Sequence, residues 1–446
     1  MASTYLSRTL GTATNRKIWT FSTWIKRNNI TSTNHIFGAS VNPTTYPALE
    51  IAFTSSGVFL LSEYNGSGYN IQLNTNRLFR DVSAWYHIVV SVDTTQSTAS
   101  DRVKIYVNGV QETSFSTANY YSQNTDPAIN NASIHTIGKH PFSSESADLD
   151  AILSHFHFID GTAYDASTFG ETDATTGIWK PKTAPSVTYG TNGFFLKFEN
   201  SGSMGTDSSG NGNNFTVNGT MTQTIDTPSN VFATFNALTE FSGNGMSNGN
   251  LKFTNSTSTY SMRHSTLAVS QGKYYAEFKI TDMTNGFSIV GISDANQFDY
   301  DSFMGSKSRA YSYRSDGTKG NNSTSSSYGN TFTTGDIIGV AMDLDNNKLY
   351  FSKNGTWQNS GDPTSGATGT GSAFDITDGY DYCIGASSVD NTTDQIIEAN
   401  FGNGYFGTTA VSSAENPDDG IGIFEHSVPT GYKALCTKSI NAQEYS

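Results

Sequence analysis

The sequence predicts an all-β protein, and two observations support that prediction. Short apolar runs recur along the 446 residues, each interrupted by Gly, Asn, Asp or Ser, and no helical apolar period is sustained. Aromatic residues make up 13% of the chain and charged residues only 14%, a balance that argues against disorder. Many short strands joined by tight turns are typical of a β-sandwich or a β-barrel.

The first series of strand-like runs occupies the first third of the chain. The runs are 18–25, 48–53, 58–62, 85–93, 103–107 and 152–159. Asn108 and Gly109 follow one of these runs and supply the positive φ angles that a two-residue type I′ hairpin turn requires. Residues 165–185 show no period and predict a surface loop. Residues 193–200 predict a further strand, which the polar turn at 207–214 follows.

A second series of strand-like runs begins near Leu251. The runs are 273–280, 287–292, 310–313, 336–343, 348–351, 382–386 and 396–401. Between the two series, residues 222–250 contain Pro228 and a Gly/Asn/Ser run, which is typical of a linker. The predicted organisation is a first domain over 1–221, a linker over 222–250, a second domain over 251–411 and a C-terminal extension over 412–446.

The first domain resembles the laminin-G/pentraxin branch of the concanavalin-like domains. The residues that carry this resemblance are WTFSTWIK at 19–26, WYHIVV at 85–90, VKIYVNG at 103–109, IG at 137–138 and the run 149–161, which ends in FIDG at 158–161. The segment 193–214 resembles the strand and DSSGNGN turn that usually open such domains. Because it comes last here, it is expected to close the same sandwich in permuted order.

The second domain resembles a SPRY domain, which is another concanavalin-like sandwich. The matching runs are GKYYAEF at 272–278, VGI at 290–292, YSY at 311–313, GDIIGVAMD at 335–343, LYFSKNG at 349–355 and NFG at 400–402. The two resemblances together imply two consecutive concanavalin A-like jelly-roll β-sandwiches.

The order of the two domains is similar to that in structural proteins of tailed, marine-type bacteriophages. The stretch FIDG…WKP at 158–181 and the tail PTGYKALC at 429–436 fit the same group. The resemblance implies a protein of the virion, on the surface of the capsid or tail, that becomes extracellular after lysis. The N-terminal residues show no secretory signal pattern, which agrees with that route. No run reaches the 18–20 apolar residues of a membrane span, so membrane insertion is not expected.

The function that this resemblance implies is binding. We expect a capsid decoration, head fibre or short tail appendage that adsorbs to host surface glycans. The alternative is a purely structural component that docks onto other virion proteins or onto further copies of itself. A short globular appendage is favoured because no heptads or collagen-like repeats predict a long shaft. A net charge of −14 without a basic cluster argues against a nucleic-acid partner.

An enzyme and a cellular adhesin are the less favoured alternatives. Concanavalin-like folds include glucanases, and retaining glycosidases need two carboxylates about 5–5.5 Å apart. The nearest patterns are Glu171 with Asp173, in a Thr/Gly loop, and 343–345 (DLD), at a hairpin turn, so no catalytic residue is predicted. His155 and His157 alternate on one strand and are interpreted as half-buried sheet residues rather than metal ligands.

Calcium is the one cofactor that the sequence suggests. The loop 145–150 (ESADLD) offers three carboxylates, and calcium prefers such hard oxygen ligands. The candidate ligands are Glu145, Asp148 and Asp150. A solvated acidic loop without calcium is the preferred interpretation. Cys383 and Cys436 could pair only if the C-terminal tail folds back on the second domain.

Aromatic residues in polar loops of the second domain are the candidate ligand-binding residues. Their rings would stack on sugars, and the Ser and Asn residues around them would supply hydrogen bonds. The candidates are Tyr300, Phe303, Tyr313, Tyr328 and Trp357, with Trp357 first because it follows an Asn-Gly turn. The alternative for Tyr311 and Tyr313 is a place in the strand core.

Overall fold

The structure, a computed structural model, describes residues 4–42, 44–142, 148–239, 244–297, 299, 301–389 and 394–444. Strands dominate it, which confirms the predicted all-β class. The chain divides into two compact units, Met1–Gln223 (the first unit) and Thr224–Ser446 (the second unit). Each unit contains two large sheets that enclose one main hydrophobic core, so the predicted pair of β-sandwiches is confirmed.

The described strands follow one another closely in both units. The first unit contains β1 (Tyr5–Thr9), β2 (Ile18–Arg27), β3 (Asn34–Asn42), β4 (Thr45–Phe53), β5 (Val58–Tyr64), β6 (Tyr69–Leu78), β7 (Trp85–Asp93), β8 (Val103–Val107), β9 (Val110–Glu112), β10 (Phe115–Asn119), β11 (Ile134–Ile137), β12 (Ala151–Asp160), β13 (Gly170–Thr172), β14 (Trp179–Pro181), β15 (Phe194–Leu196) and β16 (Thr216–Asn218). The second unit contains β17 (Asn244–Ser247), β18 (Lys252–Asn255), β19 (Ser261–His264), β20 (Lys273–Asp282), β21 (Phe287–Asp294), β22 (Ala310–Arg314), β23 (Thr318–Asn321), β24 (Thr324–Ser327), β25 (Ile337–Asp343), β26 (Lys348–Lys353), β27 (Thr356–Trp357), β28 (Phe374–Asp375), β29 (Tyr382–Val389), β30 (Gln395–Asn400), β31 (Tyr405–Phe406), β32 (Thr409–Ala410), β33 (Lys433–Ala434) and the helix α1 (Thr437–Glu444).

The two sheets of the first unit are antiparallel and face each other. One has the order β10-β6-β5-β4-β3-β11-β1-β16 and the other β15-β12-β2-β7-β8-β9. On β2, Trp19, Phe21 and Ile25 alternate into the core, as a strand periodicity of two requires. The opposite face of this six-stranded sheet is also covered, because the hairpin β13–β14 places Trp179 against it. The segment predicted as a surface loop therefore forms a second, smaller apolar layer.

The segment 193–214 completes the first unit. Strand β15 of this segment pairs with β12, and β16, which follows the segment, pairs with β1, so each sheet gains one edge strand. Asp207 holds the polar turn, since its carboxylate accepts hydrogen bonds from the backbone N–H groups of Phe195 and Asn213 at 2.9 and 2.8 Å. The Asp207 side chain thus pairs backbone N–H groups of the short strand β15 and of the turn.

The buried carboxylate of Asp160 joins segments that are distant in sequence. It accepts hydrogen bonds from the backbone N–H groups of Thr14 (2.6 Å), Asn15 (3.0 Å) and Asn192 (3.1 Å) and from the Asn130 side chain (2.7 Å). Burial alone would raise the pKa of Asp160, but these hydrogen bonds outweigh it and hold the pKa below its ordinary value. The FIDG motif therefore acts as a structural clamp, because its Asp160 holds three distant segments of the first unit together.

Residues 222–250 do not form the predicted linker. The described part of this segment packs into the second unit, where Phe232 and Phe235 are buried and the Phe235 ring lies 6.0 Å from that of Phe278. The sequence pattern missed this because isolated aromatics, rather than an alternating run, supply the buried surface. The boundary between the units falls between Gln223 and Thr224.

The second unit has the same two-layer construction. Its larger sheet has the order β17-β18-β30-β20-β25-β26-β27, with β28 and β33 as further partners, and its smaller sheet the order β19-β29-β21-β22-β23-β24. The residues predicted as a C-terminal extension belong to this unit. Strand β33 pairs in parallel with β20, and the tail contributes Phe424, Tyr432 and Leu435 to the buried interior.

Glu277 holds the tail against the larger sheet. Its carboxylate lies on β20, is buried, and accepts hydrogen bonds from the backbone N–H groups of Glu425 and His426, both at 2.8 Å. The Tyr275 hydroxyl (3.1 Å) and the Asn400 side chain (3.3 Å) donate to the same group. Burial raises the pKa of Glu277 to about 7 in spite of these donors.

The clamp at Asp160 predicts a large effect for Asp160→Asn. The amide nitrogen cannot accept hydrogen bonds, so two of the four donors, one of them buried, lose their acceptor, and we expect the first unit to lose about 2–4 kcal/mol. Asp165→Asn is the matched control, because Asp165 is exposed and caps one short turn through Ser167. Urea unfolding followed by tryptophan fluorescence measures the effect, since Trp19, Trp24, Trp85 and Trp179 all lie in this unit. Equal losses in both variants would contradict the clamp.

The raised pKa of Glu277 predicts a fall in stability as pH rises. In the unfolded chain the carboxyl group releases its proton near pH 4.5, and in the folded chain near 7. The folded state therefore binds more protons between these values, and the contribution of Glu277 declines by about 3 kcal/mol across that window. Urea unfolding at pH 5 and pH 8 should show this decline in the parent protein and lose it in Glu277→Gln. A stability difference between the two proteins that is the same at both pH values would refute the prediction.

Candidate functional site

Two loops of the second unit form a shallow groove of about 540 Å³. One loop follows β24 and the other follows the β26–β27 hairpin. The lining residues are Ser327, Tyr328, Gly329, Asn330, Thr356, Trp357, Gln358, Asn359 and Ser360. Most of these side chains carry a hydroxyl or an amide group, so the groove presents neutral hydrogen-bonding groups beside two aromatic rings.

The hairpin β26–β27 positions Trp357. Asn354 and Gly355 close it with φ angles of 48° and 77°, which confirms the turn expected from the Asn-Gly pair. Directly after Trp357, the chain bends through Asn359 and Ser360, whose φ angles are 53° and 52°. Two successive non-glycine residues in the left-handed region are uncommon, and such strain is concentrated at functional sites.

Gln358 ties the two walls of the groove together. Its buried side chain accepts a hydrogen bond from the Asn330 backbone N–H at 2.8 Å and donates one to the Thr356 carbonyl at 2.8 Å. Gly329 permits this contact, since a Cβ there would lie 2.8 Å from the Gln358 Oε1 atom. The walls are therefore fixed before any ligand arrives.

The structure brings together three of the predicted ligand-binding residues. Tyr328 and Trp357 line the groove, and both are half-buried. Tyr313 is fully buried beneath it and donates a hydrogen bond to the Asn330 carbonyl, so it supports the floor and does not reach a ligand. Tyr311 is also buried, and its hydroxyl group lies 2.9 Å from that of Thr377.

The other two predicted residues are not part of the groove. Phe303 packs on the Tyr260 ring at 5.0 Å, in a small cluster with Met262 and Met304. Tyr300 lies outside the described residues. Sequence reasoning missed Asn330, Gln358 and Asn359, although the polar runs SSSYGN and TWQNSG could have indicated them.

The candidate calcium ligands are only partly described. Asp148 is exposed and forms a backbone bridge with Lys139, while Asp150 accepts a hydrogen bond from Asn28 at 3.1 Å. Glu145 lies outside the described residues. Neither Asp148 nor Asp150 belongs to a group of three or more ligand side chains within the described part of the chain.

The acidic pairs considered as catalytic dyads have structural partners. Lys180 contacts Asp173 at 2.8 Å and Glu171 at 3.9 Å, which lowers the pKa of Asp173. Asp343 is buried and lies 3.0 Å from the Lys273 amine, and Asp345 accepts a hydrogen bond from the Gly272 backbone at 2.7 Å. These carboxylates hold turns and strands in place.

A buried Ser–His pair in the first unit has the wrong tautomer for catalysis. Ser22 Oγ lies 2.9 Å from His87 Nε2, and the Trp179 indole N–H donates to His87 Nδ1 at 3.0 Å. Because Nδ1 accepts, the proton of the neutral ring is on Nε2, so His87 donates to Ser22 and cannot remove its proton. Burial lowers the pKa of His87 to about 3, which keeps the ring neutral.

His155 and His157 are separated by an irregularity of β12. The register with β2 shifts between Ser154 and His157, and His155 has a φ of 49°. His157 is buried, stacks on Phe195 at 3.9 Å and is hydrogen-bonded to the Tyr189 hydroxyl at 2.9 Å. These contacts are those of a sheet residue, and His157 is fully buried rather than half-buried as predicted.

Two further points concern covalent links and membranes. The C-terminal tail does fold back on the second unit, yet Cys383 and Cys436 are both free and buried. Within the described residues, no helix has the length and apolar character needed to cross a bilayer.

Comparison with known proteins identifies both domain types. Residues 2–167 match the Laminin_G_3 model of the concanavalin A-like lectin/glucanases superfamily, and residues 273–374 match the SPRY domain model. The chain therefore contains a concanavalin A-like domain followed by a SPRY domain, as the sequence predicted.

The curated relatives share only a short stretch with this chain. This chain is 38% identical over 89 residues to the Ran-binding proteins 9/10 homolog of Drosophila melanogaster. The match covers 19% of this chain and 9% of that protein. The chain is 36% identical over 87 residues to human Ran-binding protein 9, over 19% of this chain and 12% of that protein. The matches thus span about a tenth of the length of these relatives.

Two solved structures are similar in part. The crystal structure of the SPRY domain of human HERC1 has a TM-score of 0.30 and 19% identity, covering 37% of this chain and 96% of that chain. A crystal structure of a human SPRY domain has a TM-score of 0.28 and 16% identity, covering 36% and 96%.

Proposed function

We propose that this protein is a non-catalytic binding protein on the surface of a virus particle, and that the groove of its SPRY unit recognises a host surface glycan. The observation that carries the proposal is the buried Gln358 side chain, which fixes two polar, aromatic-bearing loops in one geometry. A preformed site loses less conformational entropy on binding than loops that must first order.

The chemistry of the groove suits a sugar. Hydroxyl groups of Ser327, Thr356 and Ser360 and amide groups of Asn330 and Asn359 can donate to and accept from sugar hydroxyl groups. Trp357 is half-buried, its ring lies 6.3 Å from that of Tyr275, and part of its indole faces the groove. An aromatic ring beside such groups can stack on the apolar face of a sugar while the amides fix its orientation.

Recognition without cleavage is the better account of the polar residues. The acidic pairs are engaged in turns, and the tautomer of His87 prevents it from acting as a base towards Ser22. Polar groups that already hold the scaffold in this way are not available to activate water or a nucleophile.

The placement on a virion rests on the resemblance of the domain order to structural proteins of tailed bacteriophages. In that setting the protein would be a capsid decoration, a head fibre or a short tail appendage. An acidic surface with a net charge of −14 suits a particle that must stay soluble and avoid nucleic acid.

A second candidate function is protein docking. The SPRY match and the relatives named Ran-binding proteins support it, because those names record a protein partner. Here the partner would be another virion protein or a second copy of this chain, and the same groove would take a peptide loop.

Binding to a microbial glycan array, and to purified lipopolysaccharide and capsular polysaccharide, tests the first proposal. Trp357→Ala should weaken binding at least tenfold, because it removes the indole surface on which a sugar would stack. Phe303→Ala is the matched control, since Phe303 is an aromatic of the same unit outside the groove, and it should bind like the parent protein.

Either of two results would refute glycan recognition by the groove. One is the absence of any glycan ligand, and the other is equal affinity of Trp357→Ala and the parent protein for the glycan found. Co-elution with a virion structural protein, abolished by Trp357→Ala, together with no glycan binding would establish the docking function instead.

A further inference from the structure

Three side chains with metal-ligating atoms meet on the outer face of the eight-stranded sheet in the first unit. On β4, Leu49, Ile51 and Phe53 point into the core, so Glu50 points to the opposite face. His35 lies on the neighbouring strand β3, and His140 lies just after β11. Among the described residues, this is the one group of three or more His, Cys, Asp or Glu side chains with ligand atoms within 4.8 Å of one another.

The carboxylate of Glu50 is the centre of the cluster. Its Oε2 atom lies 3.3 Å from His35 Nδ1 and 3.8 Å from His140 Nε2. The two imidazole rings are 4.5 Å apart and inclined by 73°, so they approach the carboxylate from different directions. Ligands of a tetrahedral zinc ion lie about 2.0–2.1 Å from the metal, which places them about 3.3 Å from one another. The cluster is therefore close to the separation that such an ion requires.

The surrounding residues hold these ligands in place. Ser62, opposite Glu50 on β5, donates a hydrogen bond to Glu50 Oε1 at 2.7 Å and so orients Oε2 towards the imidazoles. Gly38 lets the chain after β11 cross the sheet, because a Cβ there would lie 2.8 Å from the Pro141 ring. Hydrogen bonds to the ligands and a fixed path for the ligating chain are typical of metal sites.

His35 gives a second, independent indication of a ligand. It is only 5% exposed, and no described residue forms a hydrogen bond with its Nδ1 atom, which faces Glu50. A buried polar atom without a partner is unfavourable by about 1–3 kcal/mol, so such atoms are rare unless something else satisfies them. A cation between Nδ1 and the carboxylate would give His35 Nδ1 a partner.

We infer that His35, Glu50 and His140 form a binding site for a borderline transition metal of the zinc(II) class. Two imidazoles and one carboxylate suit zinc, whereas calcium takes six to eight oxygen ligands. Three protein ligands leave the fourth position to water or to a group from a binding partner. The three ligands are different residues from those that line the SPRY groove and from the carboxylates considered for calcium.

Metal binding has a specific consequence at His140. The Phe142 backbone N–H donates to His140 Nδ1 at 3.1 Å, so the neutral ring carries its proton on Nε2. A metal on Nε2 displaces that proton, and Nδ1 takes one up, so the imidazole changes tautomer without net loss of a proton. The Phe142 N–H must then lose its acceptor, which makes its amide signal a local reporter of metal binding.

Titration of the chelator-treated full chain with ZnCl₂ and CoCl₂ tests the inference. We expect one equivalent of each metal by calorimetry, and d–d absorption bands of cobalt with intensities typical of four- or five-coordinate sites. His140→Ala and Glu50→Gln should each weaken binding at least tenfold. His155→Gln is the matched control, because it removes a partly buried histidine of the same unit and should bind like the parent protein.

The measurements distinguish this site from the alternatives. Parent protein that binds no zinc, or variants that bind it unchanged, would overturn the inference, as would binding of calcium with equal affinity. If His140→Ala fails to fold, the zinc affinity of Glu50→Gln and the Phe142 amide resonance still test whether these side chains bind the metal. A Phe142 signal unmoved by one equivalent of zinc would exclude His140 as a ligand.

Discussion

Burial of alternating apolar side chains between two facing sheets is the constraint on which both units depend. Strands such as β2 and β25 line these cores with apolar side chains from every second position, and polar side chains of the same strands, such as Ser22 on β2, are buried beside them. Where a carboxylate is buried, as at Asp160 and Glu277, it accepts hydrogen bonds from several distant segments. Each such group fixes a part of the chain that the apolar core alone would not order.

The proposed recognition site lies on loops that the sheets of the second unit hold in place. The rigid hairpin β26–β27 ends at Trp357, and the buried Gln358 then links its loop to the backbone of Asn330. Loops held by a stable sheet can vary in sequence without disturbing the core, which is why binding residues concentrate there. The buried histidines His87 and His157 serve the scaffold, since they stack and hydrogen-bond within layers of the first unit.

Features that depend on local pattern could be predicted from the sequence. The fold class, the two domain types and the Asn-Gly turns follow from alternation, motifs and the φ angles that a turn requires. The polar loops of Tyr328 and Trp357 could be recognised in the sequence, but the meeting of these loops in one groove could not, and Tyr313 is buried beneath them. The role of Gln358 could not be predicted, because it depends on a hydrogen bond between loops that meet only in the folded unit. The cluster of His35, Glu50 and His140 has the same origin, since three separate segments bring it together.

Hydrogen exchange at the Asn330 amide in the full-length protein tests the central claim, a groove formed in advance of its ligand. Because this N–H donates to the buried Gln358 side chain, we expect it to exchange at least about a hundredfold more slowly than an unstructured amide, and Gln358→Ala should remove that protection. An Asn330 amide that exchanges at the unstructured rate in the parent protein would contradict the account, because the two walls would then not be fixed.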